Sequence, residues 1–369
     1  MTWQQYLQKK LEICDNFLQF IDGEKADLNF DHNILKNRSD IIETIHLLLN
    51  ISQNHHRGPN FYNKIKQILD YFLDQIKQIY SVEEIYSLFK NDRIILVYLF
   101  EKGILVPDQL LLNFLKLNKE EYIFFDSYYF YPEVKSYDAK LGKIMEKNLL
   151  KINPELLENF EEKRRIGENE TYICSLIRED LIDEFVKYTQ KTNFSLLSII
   201  KPSIFETNPF LIKNDRTSLI EYAAFYGSIQ IYQYLKINNA KFTREIWYYA
   251  IHGNNPNMIH QIESDVSNAG YTYELILAEA IKCHHNNLAV YIQDNLLSEP
   301  IEKIVEEDKN FYTNINSQIF GSFNFKFFPD KIDDNELYFY YACYYDYVSL
   351  VKFLFNTGKY DICKYSWWT

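Results

Sequence analysis

The stretch TSLIEYAAFYGSIQIYQYLKINNAKF, residues 217–242, decides which fold the chain adopts. It opens with Ser218 and Glu221, which form the S-x-x-E pattern of a capping box at the start of a helix. Ala223 and Ala224 follow in the same helix, and side chains this small allow a neighbouring helix to approach closely. The pattern predicts a first short helix that packs tightly against another helix.

A sharp turn and a second helix follow the alanine pair. Gly227 permits the turn because glycine adopts positive φ at no steric cost. Ser228 is placed to cap the second helix, and Asn239 fits a left-handed residue at its end. The apolar residues of this helix cluster on one side: Ile229, Ile231, Tyr232, Tyr234 and Leu235. Because one helical hairpin cannot bury both of its faces, the pattern predicts further copies.

Copies of this hairpin recur along the chain. Ala223 aligns with Ala250, Ala280 and Ala342 in the segments YAAFYGSIQIYQYL, YAIHGNNPNMIHQI, EAIKCHHNNLAVYI and YACYYDYVSLVKFL. The period is about 30 residues, with about two periods between the third and fourth copies. We therefore expect the four alanines to be buried where the helices of adjacent copies meet.

The turns of the copies support this alignment. Each of the later turns offers a capping side chain: Asn255 before Pro256, Asn286, and Asp346. Weaker copies lie at 175–188, with Asp180 at the turn, and at 87–103. The repeat therefore extends beyond the four clearest segments.

The pattern A-A-x-x-G-x-x-x-x-V-x-x-L-L-x-x-G-A resembles the second part of the ankyrin repeat. The resemblance covers roughly residues 170–363. Two features depart from that repeat: its Thr-Pro-Leu-His opening is reduced to TSLI at 217–220, and the third copy has Cys283-His284 at the turn.

Four segments outside the copies extend the resemblance: NISQNHHRGPNFYNKIKQIL at 50–69, YFYPEV at 129–134, EEKRRIGENETYIC at 161–174 and KPSIFETNPFLIKN at 201–214. Together they are similar to a large uncharacterised protist family of ankyrin-like proteins with an N-terminal helical domain. The resemblance implies an all-α fold, in which an α-helical N-terminal domain precedes an ankyrin-like solenoid of helical hairpins. The domains expected are 1–118 (N-terminal helical domain), 119–168 (aromatic-rich junction or insertion) and 169–369 (ankyrin-like repeats).

Hydrophobic periodicity predicts amphipathic helices before the repeats, at 3–21, 40–53 and 60–79. The aromatic segment 122–137 breaks the helical rhythm and is interpreted as an insertion or junction. Residues 298–336 are a second irregular region, in which SFNFKFFPDKIDDNE alternates like a short strand before a turn.

Composition excludes several classes of function. The chain has 369 residues, a hydrophobic content of 47% and a formal net charge of −12. Nucleic acid is not an expected partner, because the densest basic run is only Lys163-Arg164-Arg165. No segment approaches the length of a signal peptide core or a membrane span, so no membrane association is expected. A cytoplasmic protein with reduced cysteines is expected, with the nucleus as the alternative location.

Ligand-type side chains cluster at two places, His55-His56 and Cys283-His284-His285. Adjacent helical side chains point about 100° apart, so neither histidine pair has the i, i+4 spacing of a metal-binding helix. We interpret both clusters as polar turn residues. Because the catalytic and phosphate-binding motifs with fixed spacing are also missing, the sequence predicts no enzyme, no catalytic residue, no metal and no cofactor.

Aromatic residues are abundant, with 31 Tyr and 27 Phe. In an ankyrin-like stack the residues after the alanine pair lie near the concave groove, where aromatic side chains contribute strongly to binding. The candidate partner-binding residues are Phe225, Tyr226, Trp247, His252, Lys282, Tyr344 and Tyr345. The alternative is that these side chains fill gaps between helices.

The function expected is a non-enzymatic scaffold that binds a protein partner through the concave face of the solenoid. The net acidity favours a partner with a basic or mixed surface. One alternative is an adaptor that binds two partners, one through the N-terminal domain and one through the repeats; another is an enzyme with an unrecognised site. At the C-terminal end, Tyr365, Trp367 and Trp368 either fold back over the fourth copy or leave a face open for self-association.

Overall fold

The structure is a computed structural model that describes residues 2–28, 37–117, 125–266, 273–297, 309–328 and 336–356. Within these ranges the chain is all-α and forms no β-strand, which confirms the expected fold class. No helix among them is long and apolar enough to span a bilayer.

The α-helices in chain order are α1 (Trp3–Ile21), α2 (Arg38–Asn54), α3 (Phe61–Asp70), α4 (Leu73–Ile79), α5 (Val82–Phe89), α6 (Arg93–Glu101), α7 (Gln109–Phe114), α8 (Tyr131–Tyr137), α9 (Ala139–Ile152), α10 (Phe160–Ile166), α11 (Tyr172–Arg178), α12 (Ile182–Thr192), α13 (Pro209–Lys213), α14 (Leu219–Tyr226), α15 (Ile229–Ile237), α16 (Ile246–Gly253), α17 (Pro256–Val266), α18 (Tyr273–Lys282), α19 (Asn286–Asn295), α20 (Lys309–Gly321), α21 (Glu336–Tyr344) and α22 (Val348–Asn356).

The chain divides into two compact units. Unit 1 combines residues 1–72 with 263–369, and unit 2 contains residues 73–262. Unit 1 is therefore built from both ends of the chain. The division at 118 and 168 that the sequence suggests stays a prediction.

The N-terminal helices follow the hydrophobic pattern. The predictions at 3–21 and 40–53 are confirmed by α1 and α2. The predicted helix at 60–79 is instead two helices, α3 and α4. Tyr71 and Phe72 close the last turn of α3 with i→i+3 hydrogen bonds of 3.2 and 2.8 Å, which tighten the backbone and end the helix.

A buried ion-pair network joins α1 to α2 in unit 1. Lys10 of α1 is buried, and its Nζ lies 2.5 Å from a carboxylate oxygen of Glu43 and 3.2 Å from one of Asp40. Glu43 also accepts a hydrogen bond from the backbone N–H of Ser349, at the start of α22. An unpaired charge in this core would be costly, but each charge in the network is paired. Helices from both ends of the chain can therefore pack into one core.

Unit 2 contains neighbouring helical hairpins. The hairpin of α11 and α12 packs against that of α14 and α15, and α14 packs against α16. The side chain of Asp180 accepts hydrogen bonds from the backbone N–H groups of Gln230 (3.1 Å) and Ile231 (3.0 Å) at the start of α15. Ser228 lies at the expected N-cap position of α15, but its hydroxyl donates to the carbonyl of Ile177 instead. One hairpin thus caps the next.

The hairpins of unit 2 share a left-handed residue at the turn. Gly227 has φ 68°, as the sequence predicts, and the backbone N–H of Ser228 donates to the carbonyl of Ala223 at 2.9 Å. Asp180 and Asn254 are also left-handed, each with φ 50°. A left-handed residue with this bond is the Schellman ending of a helix.

The hairpins of unit 1 end their first helices in the same way. His284 has φ 57°, and the N–H of His285 donates to the carbonyl of Ala280 at 3.1 Å. Asp346 has φ 59°, and the next N–H donates to the carbonyl of Ala342 at 2.9 Å. The shared turn supports the alignment of the copies.

The aligned alanines are fully buried. Ala223, Ala250, Ala280 and Ala342 each have a relative exposure of 0%. The expectation that small side chains stand at the centre of the first helices is confirmed. The left-handed conformation expected for Asn239 is also confirmed, with φ 61°.

The aromatic segment is helical from residue 125 to 137 despite its broken periodicity, and its interpretation as an insertion or junction stays a prediction. Two local predictions were wrong. The strand-like segment near 325 forms a short 3-10 helix, Phe325–Phe327, because the side chain of Asn324 caps it by accepting from the N–H of Lys326. Asn286 does not cap α19, because its side-chain oxygen accepts from the Asn324 amide at 2.9 Å.

The interval between the third and fourth copies contains α20, which ends at Gly321. Phe323 follows with φ 58°, and the N–H of Asn324 donates to the carbonyl of Ile319 at 3.2 Å, so this helix ends in the shared turn as well. Residues 298–308 and 329–335 lie outside the described residues. The predicted aromatic cap at the chain end also lies outside them.

Candidate functional site

Most of the predicted contact residues of unit 2 are buried. Phe225, Trp247 and His252 are 8%, 1% and 3% exposed, and Tyr226 is half-buried. The ring of Phe210 stacks on that of His252 at a centroid distance of 4.0 Å and on that of Phe225 at 6.0 Å. These side chains form part of the packing around α14 and α16, and a role in partner binding stays a prediction.

The predicted contact residues of unit 1 are more accessible. Tyr344 is 66% exposed, whereas Tyr345 is half-buried and its hydroxyl lies 2.9 Å from that of Ser317. The ammonium of Lys282 pairs with Glu279 at 2.8 Å. Tyr344 is therefore the member of the predicted set that presents the most ring surface, and partner contact stays a prediction here too.

Unit 2 has a groove of about 520 Å³ that the sequence did not reveal. We call it the basic groove. Its apolar part is formed by Phe114, Leu115, Phe130, Pro209 and Ile212, and its basic side chains are Lys90, Arg93, Lys116 and Lys213. The residues come from the turns and ends of short helices between α5 and α13, which explains why no single motif predicts them.

The cations of the basic groove differ in their roles. Arg93 is buried, pairs with Asp126 at 2.8 Å and donates to the carbonyl of Glu206 at 3.0 Å, so it holds the groove together. Lys90, Lys116 and Lys213 are exposed, and with Arg93 they outnumber the one carboxylate among the lining residues, Asp126. The groove is therefore positive on balance in a chain whose formal net charge is −12.

The two histidine pairs meet in unit 1. His55 and His56 directly follow α2, and His285 directly precedes α19. Their ring centroids lie 4.4 to 5.2 Å apart. One ring nitrogen from each comes within 4.8 Å of the others, although His56 and His285 are 229 positions apart in sequence. We call His55, His56 and His285 the histidine cluster.

A carboxylate completes this group. Asp22 follows the last residue of α1, and its Oδ1 lies 2.9 Å from Nε2 of His55 and 3.7 Å from Nε2 of His56. Nδ1 of His55 lies 2.8 Å from the carbonyl oxygen of Cys283. Since a carbonyl only accepts, Nδ1 of His55 carries a proton and Nε2 faces the carboxylate.

The remaining contacts of the cluster involve His56 and His285. Nδ1 of His56 lies 3.2 Å from Nε2 of His285, and the backbone N–H of His56 donates to the same Nε2 at 3.3 Å. The side chains of His56 and Asp22 are 27% and 30% exposed, so solvent reaches the cluster, whereas His55 and His285 are buried.

Burial and charge shift the protonation of this group. Burial lowers the pKa of His56 to about 4, and the neighbouring His55 adds to the shift, whereas Asp22 opposes it. Burial disfavours ionisation of Asp22, but the hydrogen bond with His55 and the electrostatic effect of His55, His56 and Lys64 outweigh it and lower the pKa of the carboxyl. The imidazole of His56 is thus neutral and the carboxyl is ionised near neutral pH.

A second histidine of the same turn lies beside a thiol. Sγ of Cys14 is 3.8 Å from Nδ1 of His284, and Nε2 of His284 donates to the carbonyl of Ser322 at 2.8 Å. Burial raises the pKa of the Cys14 thiol and lowers that of His284 to about 3. Both groups are neutral, and a neutral thiol is a poor nucleophile, so the pair is a packing contact.

Sequence reasoning singled out both histidine pairs but not their convergence. In the sequence, each histidine pair is placed at a turn, but the i, i+4 spacing rule detects metal ligands only when both lie on one helix. No sequence pattern marks Asp22. The group depends on where α1 and α2 end and where α19 begins.

Comparison with known proteins yielded no match: no family model, no curated protein and no solved structure matches the chain. The resemblance to ankyrin-like proteins therefore stays a prediction.

Proposed function

We propose that the chain is a non-enzymatic interaction scaffold, in which stacked helical hairpins present a surface to a protein partner. The observation that carries the proposal is the recurring turn, with left-handed residues of φ 50° to 68° at Asp180, Gly227, Asn254, His284 and Asp346. In repeat proteins the buried pattern builds the stack, while exposed residues vary and set the partner. An ankyrin-like arrangement of the hairpins is part of this proposal.

The basic groove of unit 2 is the surface that we assign to the partner. Its apolar side chains suit an aromatic or aliphatic anchor, and its three exposed lysines suit carboxylates on either side of that anchor. The occupant is therefore an extended acidic segment of a partner protein that also carries apolar side chains.

The net charge of the whole chain further restricts the class of protein that can bind. A net charge of −12 repels a uniformly acidic protein, whereas the lysines of the groove attract acidic groups locally. A partner with a mixed surface satisfies both conditions, in agreement with the expectation from composition. Because exposed charges are screened by salt, we expect the complex to weaken as ionic strength rises.

Charge reversal at the groove tests the proposal. The groove variant combines Lys90→Glu, Lys116→Glu and Lys213→Glu, and the matched control combines Lys143→Glu, Lys147→Glu and Lys187→Glu, which are exposed lysines of unit 2 on α9 and α12. Affinity capture from the native cells is quantified by mass spectrometry. We expect the control to recover the same partner as the wild type and the groove variant to recover at least ~10-fold less.

Circular dichroism and thermal melting show whether both variants keep the fold. A partner that is captured equally by the folded groove variant contradicts the assignment of the groove. A wild-type chain that enriches no protein over a capture without bait contradicts the scaffold itself.

A further inference from the structure

We propose that the histidine cluster binds a divalent transition-metal ion, with zinc as the best fit. One ring nitrogen from each histidine lies within 4.8 Å of the others, and three imidazoles are a set of protein ligands that zinc accepts. The proposal is independent of the interaction scaffold, because the basic groove lies in the other unit.

The histidine nitrogens lie close enough to meet at one ion. Metal–ligand bonds of about 2.0–2.1 Å place neighbouring ligand atoms about 3.3 Å apart. One nitrogen from each histidine lies within 4.8 Å of the others, and the facing nitrogens of His56 and His285 are 3.2 Å apart, so the ion would draw the three rings closer together. Asp22 Oδ1 lies 2.9 Å from Nε2 of His55 and 3.7 Å from Nε2 of His56, the nitrogen that does not face His285, so this carboxylate is a neighbour of the cluster and not one of its three ligands.

The tautomer of His55 also favours a metal. Its Nδ1 donates to the carbonyl of Cys283 at 2.8 Å, the contact that commonly orients a metal-binding imidazole. Nε2 is then the nitrogen of His55 that is available to a metal, and the carboxylate of Asp22, 2.9 Å from it, adds negative charge that favours a cation.

One contact must give way when the ion binds. Nε2 of His285 accepts from the backbone N–H of His56 at 3.3 Å, and its lone pair cannot serve both the amide and a metal. The bond is long, so its loss costs little compared with a nitrogen–zinc bond. His56 supplies only one of its ring nitrogens to a single ion.

The ion would tie together separate parts of unit 1. Three histidine ligands leave the fourth position of a tetrahedral zinc ion to a water molecule. Asp22, His55 and His56 belong to the N-terminal part of unit 1 and His285 to its C-terminal part. The ion would therefore link the two ends of the chain that make up this unit.

Metal titration of the full chain tests the site. The protein is stripped with a chelator and titrated with Zn²⁺ against a chromophoric competitor. We expect one tight site per chain in the wild type, at least ~100-fold weaker binding in His285→Gln, and at least ~10-fold weaker binding in Asp22→Asn, whose carboxylate lies beside His55. His260→Gln, which alters an exposed histidine of unit 2, is the matched control and should bind like the wild type.

Cobalt distinguishes this site from binding by thiols. Co²⁺ in a tetrahedral site of nitrogen and oxygen ligands shows visible d–d bands without a near-ultraviolet charge-transfer band from sulfur. Melting of the stripped proteins shows whether each variant folds, and His56→Gln, at a half-exposed position, serves if His285→Gln does not. Equal zinc affinity in wild type and folded variants, or a spectrum with sulfur charge transfer, overturns the proposal.

Discussion

Alanine at the centre of the first hairpin helix is the residue on which helix packing depends. Ala223, Ala250, Ala280 and Ala342 have no exposed surface, although three of them stand beside large aromatic residues in sequence. A methyl group at these positions leaves room for a neighbouring helix. The sequence could predict this burial because the spacing of small residues is a local property.

Enlarging one of these alanines should therefore destabilise the chain. We expect Ala250→Leu to lower the free energy of unfolding by about 1–3 kcal/mol, because three additional heavy atoms must fit into a closed contact. Ala139→Leu, at an exposed alanine of unit 2, is the control and should change it by less than about 0.5 kcal/mol. Urea unfolding measures both, and equal stability of the two variants would contradict the packing.

At the scale of the element, the helical hairpin is defined by its turn. Sequence reasoning placed Ser218, Glu221 and Gly227 correctly, because capping and positive φ are set by neighbouring residues. It failed at Ser228, whose hydroxyl bonds to the preceding hairpin, since the cap of α15 comes from Asp180. A contact between two hairpins leaves no recognisable pattern in the sequence of either hairpin.

The contact between α14 and α16 depends on a glycine. A Cβ added to Gly253 would lie 2.1 Å from the carbonyl oxygen of Phe225 and 3.0 Å from its carbonyl carbon. We expect Gly253→Ala to destabilise the chain by about 1–3 kcal/mol through forced separation of the two helices, although alanine favours the helix itself by about 1 kcal/mol.

Gly58→Ala is the matched control, because a Cβ there would meet no heavy atom within 4 Å. Thermal unfolding followed by circular dichroism compares the two variants. If Gly253→Ala melts at the temperature of the wild type, the close approach of α14 and α16 is wrong.

At the scale of the whole molecule, the sequence predicts features that depend on neighbouring residues, but not features that form when distant segments meet. The helical class follows from hydrophobic periodicity and from few Gly and Pro, 10 and 9 in number. The histidine cluster does not follow, because His56 and His285 approach each other only after unit 1 has assembled from both chain ends. The basic groove is hidden for the same reason, since its lysines come from separate turns.

In the proposed scaffold, the basic groove binds an acidic segment of a partner protein. Hydrogen exchange of the chain, alone and with the captured partner, tests this binding at the groove itself. We expect slower exchange in the groove segments 88–93, 113–117 and 209–213 when the partner binds, and no such change in the groove variant. Unchanged exchange in these segments, with protection elsewhere on the chain, would contradict it.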